Sequence, residues 1–243
     1  MNDVVVVEVG PRDGLQNEPT LVSTADKIEL VDQLGAAGLR KIEVTSFVSP
    51  KWVPQMADAA DVMAGIARKT DVTYAALTPN LRGLLAAQNS AVDEVAVFAS
   101  ASEGFSQANI NCSVAQSLER FQPVLDSATV PVRGYISCIV ECPYDGLVDP
   151  VQVVDLALRM LEMGCFEISL GDTIGRAKPA QIERLLSKIL DAIPAGKLAG
   201  HFHDTNAQAI ENIDISLDAG VRVLMPRSGV WAAAPMHRGL REM

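Results

Sequence analysis

The chain has 243 residues, of which 49% are hydrophobic, and a formal net charge of −10. This length is enough to bury a large core in a single domain. The acidic balance, without any basic stripe, argues against nucleic acid as a partner. No apolar run approaches the roughly 20 residues of a membrane helix. The first residues carry no secretion or transit signal, so we expect a cytoplasmic protein that does not bind membranes.

Eight short β-branched runs alternate with segments of helical period along the whole sequence. In chain order, the candidate strands are residues 4–9, 41–45, 72–77, 94–98, 132–138, 167–170, 198–202 and 221–224. Their spacing of roughly 30 residues predicts a closed (β/α)8 barrel, the TIM barrel. In this fold, active-site residues lie where the strands end and the βα loops begin.

The segments between these strands carry clear helix signals. Ser23 with Asp26 three residues later is a capping box before an apolar stripe that ends near Gly35. A second stripe stops at Gly164, and Pro179 opens a third. We assign these stripes to the core rather than to a binding site.

The four cysteines do not form the paired C-x-x-C spacing of a zinc site. A cytosolic setting would keep them reduced. We therefore predict that they are thiols, mostly with structural roles; they are Cys112, Cys138, Cys142 and Cys165.

Ionisable and polar residues cluster at the predicted ends of four strands. They are Arg12, Asp13 and Gln16 after the first strand, Glu43 and Ser46 at the second, Asp172 after the sixth, and His201 and His203 at the seventh. Separately, each has an ordinary explanation, such as a hydrogen-bonded structural histidine or a turn with a surface ion pair. Together, at the end of the barrel where active sites lie, they predict a site.

His201 and His203 are two residues apart in a strand, so both rings project from the same face. With Asp13 they form a donor set that suits an octahedral divalent cation, Mg²⁺ or Mn²⁺. Such a donor set does not exclude zinc or cobalt as the bound ion. Glu43 and Asp172 could take part in the chemistry directly, or could be ion-pair partners that hold Arg12 in place.

Several long motifs resemble the 3-hydroxy-3-methylglutaryl-CoA lyase family. They are V-E-V-G-P-R-D-G-L-Q-N-E, T-S-F-V-S-P-K-W-V-P-Q-M-A-D, T-P-N-L-R-G, I-N-C-S, R-G-Y-I-S-C, C-P-Y-D-G, E-I-S-L-G-D-T-I-G and H-F-H-D-T. The resemblance extends from residue 4 to about residue 223. Related Claisen-type acyl-CoA synthases and aldolases share R-D-G-x-Q and H-x-H-D, and such an enzyme is the alternative.

The resemblance implies cleavage of hydroxymethylglutaryl-CoA into acetoacetate and acetyl-CoA, a step of leucine breakdown and ketone-body formation. It implies that Arg12 stabilises the enolate and that His201 is the acid/base group with Asp172 as its partner, and it adds Glu43 to the catalytic residues. The substrate-binding residues that it implies are Gln16, Ser46, Arg133 and Tyr135.

The last part of the sequence departs from the family pattern. The family has a glycine-rich loop after strand 8 with a protonating cysteine, and an asparagine further on that is the fourth metal ligand. Residues 224–243 contain neither. We therefore predict a lyase domain over residues 1–223 and an aberrant tail over residues 224–243. The last βα unit is then incomplete, turnover is low or absent, and the uncovered barrel edge could favour a homodimer.

The tail has a simple explanation in the genetic code. Codons permitted for residues 224–243, read from the third base of the Leu224 codon, give D-A-S-V-G-G-L-G-G-C-P-Y-A-P-G-A-S-G-N. This is the missing loop, with its cysteine and asparagine. We therefore expect a frame change just before Leu224; the alternative is a divergent tail on an inactive protein.

Overall fold

The computed structural model describes residues 3–226. Within them, eight parallel strands close into a barrel in the order β1-β10-β9-β8-β5-β4-β3-β2. The strands are β1 (Val5–Glu8), β2 (Lys41–Ser46), β3 (Thr73–Leu77), β4 (Glu94–Ser100), β5 (Val132–Ser137), β8 (Ile168–Asp172), β9 (Leu198–Phe202) and β10 (Val223–Leu224). The predicted barrel is confirmed, and each predicted strand overlaps an observed one.

Helices follow the strands and cover the outside of the barrel. They are α1 (Thr24–Ala36), α2 (Ala59–Gly65), α3 (Leu81–Asn89), α4 (Glu103–Ile110), α5 (Val114–Ser127), α6 (Pro150–Glu162), α7 (Pro179–Leu190) and α8 (Ala209–Asp218). The side chain of Ser23 accepts a hydrogen bond from the backbone N–H of Asp26, as the capping pattern predicts. Pro179 is the first residue of α7, as predicted. None of the described helices is long and apolar enough to cross a membrane.

A small hairpin after β5 was not predicted. Its strands, β6 (Glu141–Cys142) and β7 (Gly146–Leu147), pair antiparallel around the C-P-Y-D-G segment. Gly146 has a φ of +78°, which favours glycine in the turn. The Asp-Gly pair was the available sequence signal, but the strands are too short to show a period.

The barrel closes through backbone bonds between its first and last strands. Val5 pairs with Val223 and Val6 with Leu224, while β10 also pairs with β9. The described barrel therefore includes Leu224, the first residue of the predicted tail. Met225 and Pro226 of the predicted tail are also described and bond to Gly200 and Val9, whereas its residues 227–243 lie outside the described residues.

The N-terminal end of the barrel interior is closed by a group of buried charges. Arg133 donates from Nε to Glu94 at 2.8 Å and from a terminal nitrogen to Glu167, while Lys41 pairs with the other oxygen of Glu94. Lys41, Glu94 and Arg133 lie in the first or second position of their strands, and Glu167 directly precedes β8. Two cations and two carboxylates balance, so the buried group can be neutral.

All four cysteines are buried and unpaired, as expected of structural thiols; they are Cys112, Cys138, Cys142 and Cys165. Burial raises the pKa of Cys138 and of Cys165 to about 12, which keeps both protonated at neutral pH.

Candidate metal centre and active site

The loop after β1 places two charged side chains at the C-terminal end of the barrel. Residues Gly10–Gly14 form a single wide helical turn in which the carbonyl oxygen of Val9 accepts from the N–H groups of Arg12 at 3.1 Å and Asp13 at 2.7 Å. Pro11 lies at the start of the turn, where its missing N–H removes no bond. This turn fixes the direction of Arg12 and Asp13.

Asp13, His201 and His203 meet as the sequence predicts. Oδ2 of Asp13 lies 3.2 Å from Nε2 of His203 and 3.9 Å from Nε2 of His201. The two Nε2 atoms lie 3.0 Å apart. The three potential ligand atoms all lie within 4.8 Å of one another, so these groups could hold a metal ion.

The hydrogen bonds on the far side of each ring decide what the near side offers. Nδ1 of His201 lies 2.7 Å from the carbonyl oxygen of Met225, and Nδ1 of His203 lies 2.8 Å from that of Thr173. A carbonyl oxygen only accepts, so each Nδ1 carries the proton and donates. In the neutral form of each ring Nε2 is then a lone-pair acceptor, and the two Nε2 atoms face each other and a carboxylate. Three converging acceptors fit a bound cation.

The pKa values of this group follow from burial and from mutual charge. Burial and the neighbouring His203 lower the pKa of His201 to about 4, so the ring is neutral at pH 7. Burial opposes ionisation of Asp13, but the neighbouring His203 and the charge of Arg12 outweigh it and hold its pKa well below the usual range. A neutral imidazole and an ionised carboxylate are the forms that bind metals.

Arg12 lies beside this group in a buried hydrogen-bonded chain. Its Nε donates to Glu43 at 2.7 Å, and another of its nitrogens donates to Asp13 at 3.0 Å. The hydroxyl of Tyr135 donates to the second oxygen of Glu43 at 2.9 Å, and the Arg12 guanidinium lies over the Tyr135 ring at 5.7 Å. Burial opposes the charge of Arg12, but Glu43 and Asp13 outweigh it and raise the pKa of Arg12 above its usual value.

Asp172 lies at the end of β8, and each oxygen of its carboxylate accepts a hydrogen bond from its own loop. It accepts from the backbone N–H groups of Arg176 at 3.3 Å and Ala177 at 2.9 Å. Burial raises its pKa. Among the described residues, no hydrogen bond joins it to His201, so the implied pairing of these two side chains is not observed in the structure. His201 is oriented by the Met225 carbonyl instead.

Comparisons with known proteins agree with this site and barrel. The HMGL-like family model matches residues 3–225. A Pseudomonas aeruginosa protein named 3-hydroxy-3-isohexenylglutaryl-CoA/hydroxy-methylglutaryl-CoA lyase is 60% identical over 97% of this chain and 80% of its own length. The chain belongs to the HMGL-like family.

Two further relatives support this membership. The Danio rerio protein named 3-hydroxy-3-methylglutaryl-CoA lyase, cytoplasmic, is 52% identical over 97% of this chain and 71% of its own. The crystal structure of the HMG-CoA lyase from Brucella melitensis superposes with a TM-score of 0.93, at 50% identity, over 98% of this chain and 86% of that one. The match at family and fold level is therefore close along the described chain.

Of the remaining predicted substrate-binding residues of this HMGL-like chain, two lie near the C-terminal end of the barrel and one does not. Gln16 follows the β1 turn and is half-buried, and its Oε1 is buried without a hydrogen-bond partner among the described residues. Ser46 ends β2 fully buried and donates to the Leu77 carbonyl at 3.4 Å. Arg133 is not brought to the site: both of its carboxylate partners lie at the opposite end of the barrel. The implied substrate-binding role of Arg133 therefore has no support from its position.

Sequence reasoning missed the two backbone carbonyls that orient the metal-facing histidines. Those of Thr173 and Met225 come from neighbouring loops. The D-T pair at the end of β8 was a weak signal for the first. Nothing in side-chain chemistry signals the second, because any residue at position 225 has a carbonyl.

Proposed function

We propose that this chain is built to cleave 3-hydroxy-3-methylglutaryl-CoA into acetoacetate and acetyl-CoA, the activity for which its relatives are named. The observation that carries this proposal is the group of three converging acceptors on Asp13, His201 and His203 with the Arg12 guanidinium beside it. Both lie at the end of the barrel where the fold places active sites.

We propose that Asp13, His201 and His203 hold a divalent cation, Mg²⁺ or Mn²⁺; the two imidazoles would also accept zinc or cobalt. When bound, such a cation supplies positive charge that lowers the pKa of a coordinated hydroxyl group. The surrounding residues keep the ligands in their binding forms, since both imidazoles donate their Nδ1 protons away from the centre.

Arg12 is the residue that we propose to stabilise the charge produced by cleavage. The tertiary hydroxyl gives its proton to the base, the role that the resemblance implies for His201, and becomes the ketone of acetoacetate. The electron pair of the broken carbon–carbon bond leaves as the enolate of acetyl-CoA. A cation fixed in advance lowers the energy of that enolate. Glu43 and Asp13 fix two sides of Arg12, and Tyr135 fixes Glu43. We propose that Glu43 positions Arg12 rather than reacting.

The enolate must then be protonated, and the proposed donor is the cysteine of the family loop. We propose that a frame change just before Leu224 has replaced this loop, because another frame of permitted codons encodes it with its cysteine and asparagine. The chain as translated then keeps three metal ligands and Arg12, and lacks the proton donor and the fourth ligand.

The decisive experiment compares the chain with a frame-restored form. Each is incubated with hydroxymethylglutaryl-CoA and Mg²⁺, and acetoacetate and acetyl-CoA are both measured. We expect equal amounts of the two products from the restored form and much slower release from the translated chain. Release of neither product by the restored form, or condensation of an acyl-CoA with a keto acid, would point to the Claisen-type alternative. Equal activity of the two forms would refute the frame proposal.

A second substrate is favoured by one relative. The Pseudomonas aeruginosa protein is named for 3-hydroxy-3-isohexenylglutaryl-CoA as well as for the methyl compound. We propose that the restored form be assayed with both; the cleaved bond and the ionised groups are identical, so only the space around the 3-substituent separates them.

Location and assembly are also proposals. A cytoplasmic location agrees with the name of the Danio rerio relative, whereas other relatives are named mitochondrial. A homodimer remains a prediction, which size-exclusion chromatography with light scattering would test.

A further inference from the structure

The β8–α7 loop, residues 173–178, controls two of the groups in the candidate site. The carbonyl oxygen of Thr173 accepts the Nδ1 proton of His203 at 2.8 Å and so sets the plane of that ring. Further along, the N–H of Ala177 donates to the carboxylate of Asp172 at 2.9 Å. The position of this loop therefore determines the orientation of a metal-facing histidine and of a buried carboxylate.

The loop lies directly against the backbone that follows β9. Gly175 has a φ of +64°, and a Cβ atom there would lie 2.8 Å from the carbonyl oxygen of His203 and 2.8 Å from the backbone nitrogen of Thr205. Only glycine allows this approach. Because the two backbones pack closely at Gly175, the β8–α7 loop cannot move toward the His203 segment without displacing it.

One side chain outside the site holds the loop from α8. Nδ2 of Asn212 donates to the carbonyl oxygen of Ala177 at 2.9 Å, and both residues are fully buried. The bond joins two elements that are 35 residues apart in sequence. Its acceptor belongs to the same residue whose N–H binds Asp172.

The oxygen of the Asn212 side-chain amide makes no comparable bond within the described residues. This atom, Oδ1, is buried without a hydrogen-bond partner among residues 3–226. A buried acceptor without a partner destabilises a fold, and an apolar side chain of similar size would avoid that cost if the position served packing alone. What the amide contributes here is the single bond to the loop.

We propose that Asn212 is a positioning residue for the candidate metal centre, acting through the β8–α7 loop on His203 and Asp172. This inference rests on the proposed function, because it takes His203 to be a metal ligand. The loop itself can be examined without any metal.

The test compares Asn212→Leu with Ser216→Ala in the translated chain. Ser216 is a buried residue of the same helix, and its hydroxyl donates to the Asn212 backbone carbonyl at 2.7 Å. Its replacement removes one buried hydrogen bond from α8 but leaves the bond to the loop intact. Asn212→Asp, which keeps the shape and loses the donor, is used if the leucine variant does not fold.

Two measurements are made on each protein. Hydrogen exchange of the Arg176 and Ala177 amides in the metal-free state is expected to be roughly fivefold to tenfold faster in the Asn212 variant, the effect of losing one hydrogen bond. Mn²⁺ affinity, followed by electron paramagnetic resonance, is expected to fall about tenfold or more, as when a residue that orients a ligand is removed. Ser216→Ala should change neither.

Unchanged exchange of those amides in the Asn212 variant would overturn the proposal, and so would unchanged Mn²⁺ affinity where the wild-type chain binds the ion. A translated chain that fails to bind Mn²⁺ would instead refute the idea that Asp13, His201 and His203 suffice to hold the ion without the proposed fourth ligand. Amide exchange would then still decide whether Asn212 holds the loop.

Discussion

Single side chains of the candidate site are arranged so that acceptor atoms face inward and donors face outward. Asp13, His201 and His203 converge with a carboxylate oxygen and two unprotonated ring nitrogens. Such an arrangement is electrostatically unfavourable unless a cation or a proton enters it. The behaviour of each ligand residue on substitution follows from this.

Removing one ligand should weaken metal binding without unfolding the barrel. We expect His203→Asn to lower Mn²⁺ affinity about tenfold or more, because one of three protein ligands is lost. Titration followed by electron paramagnetic resonance measures this. Asp145→Asn is the control, since Asp145 is an exposed carboxylate in the β6–β7 hairpin, hydrogen-bonded to Ser102 and Gly104. If His203→Asn and Asp145→Asn lowered Mn²⁺ affinity equally, the ion would not be bound specifically at the candidate metal centre.

The lowered pKa of His201 predicts how the stability of the metal-free protein changes as the pH falls. Its folded pKa is lowered to about 4 from 6.5, so the unfolded chain takes up the proton first as the pH falls. The stabilisation is complete above pH 6.5 and is lost between pH 6.5 and 4, amounting to about 3 kcal/mol over the full window. Urea unfolding should give a lower free energy of unfolding at pH 5 than at pH 7, and this difference should be smaller in His201→Asn than in the unsubstituted protein. A variant with the same pH dependence would show that another group is responsible.

Arg12 should be needed for turnover more than for folding. In the frame-restored protein, we expect Arg12→Lys to lower kcat by about 10² to 10³, the usual effect of losing one donor aimed at developing negative charge. Lysine keeps the charge but lacks the planar guanidinium whose separate nitrogens donate to Glu43 and Asp13. Arg176→Lys, a change at an exposed arginine, is the control. Steady-state kinetics would contradict the role if kcat stayed the same and only KM rose.

At the scale of secondary-structure elements, the barrel separates charges into two groups at its opposite ends. Residues two apart in a strand point the same way, so Lys41 and Glu43 of β2 face the interior at successive depths, as do Arg133 and Tyr135 of β5. The ion pairs toward the N-terminal end of the barrel join strands through Glu94 and Glu167. Toward the C-terminal end, Tyr135 binds Glu43, which holds Arg12. The alternation of side chains along these strands therefore supplies a stabilising charge group at the N-terminal end of the barrel and site residues at its C-terminal end.

Arg133 therefore belongs to the stability of the barrel. We expect Arg133→Met to destabilise the fold by about 3 to 5 kcal/mol, because it removes the bonded cation from buried Glu167 and one of the two cations from Glu94. Arg40→Met is the matched control: the Arg40 pair with Asp71 is exposed, with an expected change below about 1 kcal/mol. Chemical denaturation measures both. Weakened Mn²⁺ affinity with unchanged stability in Arg133→Met would return Arg133 to the site.

At the scale of the whole molecule, the closure of the barrel depends on β1 and β10. Val4 and Val5 are 44% and 41% exposed beside this closure. In a (β/α)8 barrel a helix after the eighth strand covers such apolar surface, with a gain of about 25 cal/mol per Å² buried. The frame proposal therefore concerns stability as well as catalysis.

We expect a frame-restored protein that carries a helix after the eighth strand to unfold at a higher temperature than the translated chain, because that helix would cover the exposed Val4 and Val5. Calorimetry at equal concentration measures the shift, and light scattering shows whether either form associates. A mutant restored in frame but with its loop cysteine changed to serine separates the two effects: it should keep the higher Tm and lose activity. If the two full-length forms melted together, the tail would have no bearing on the fold.

The sequence by itself determined the repeat of strands and helices and the family, and it named candidate site residues. Periodicity and capping are local properties, so the eight strands and the starts of α1 and α7 were predictable. The motif H-x-H on one strand face and the R-D-G turn after β1 were enough to predict that Asp13, His201 and His203 meet, because all barrel strands end at one face.

Only the tertiary structure decided what each charged residue contacts. Arg133 and Arg12 both follow apolar runs in the sequence, yet one binds carboxylates at the N-terminal end of the barrel and the other lies beside the acceptor triad. The Met225 carbonyl and the Asn212 amide carry no motif; they matter because the closed barrel brings loops from distant parts of the chain into contact. Burial and partner geometry are properties of the assembled barrel, and these set the protonation of His201.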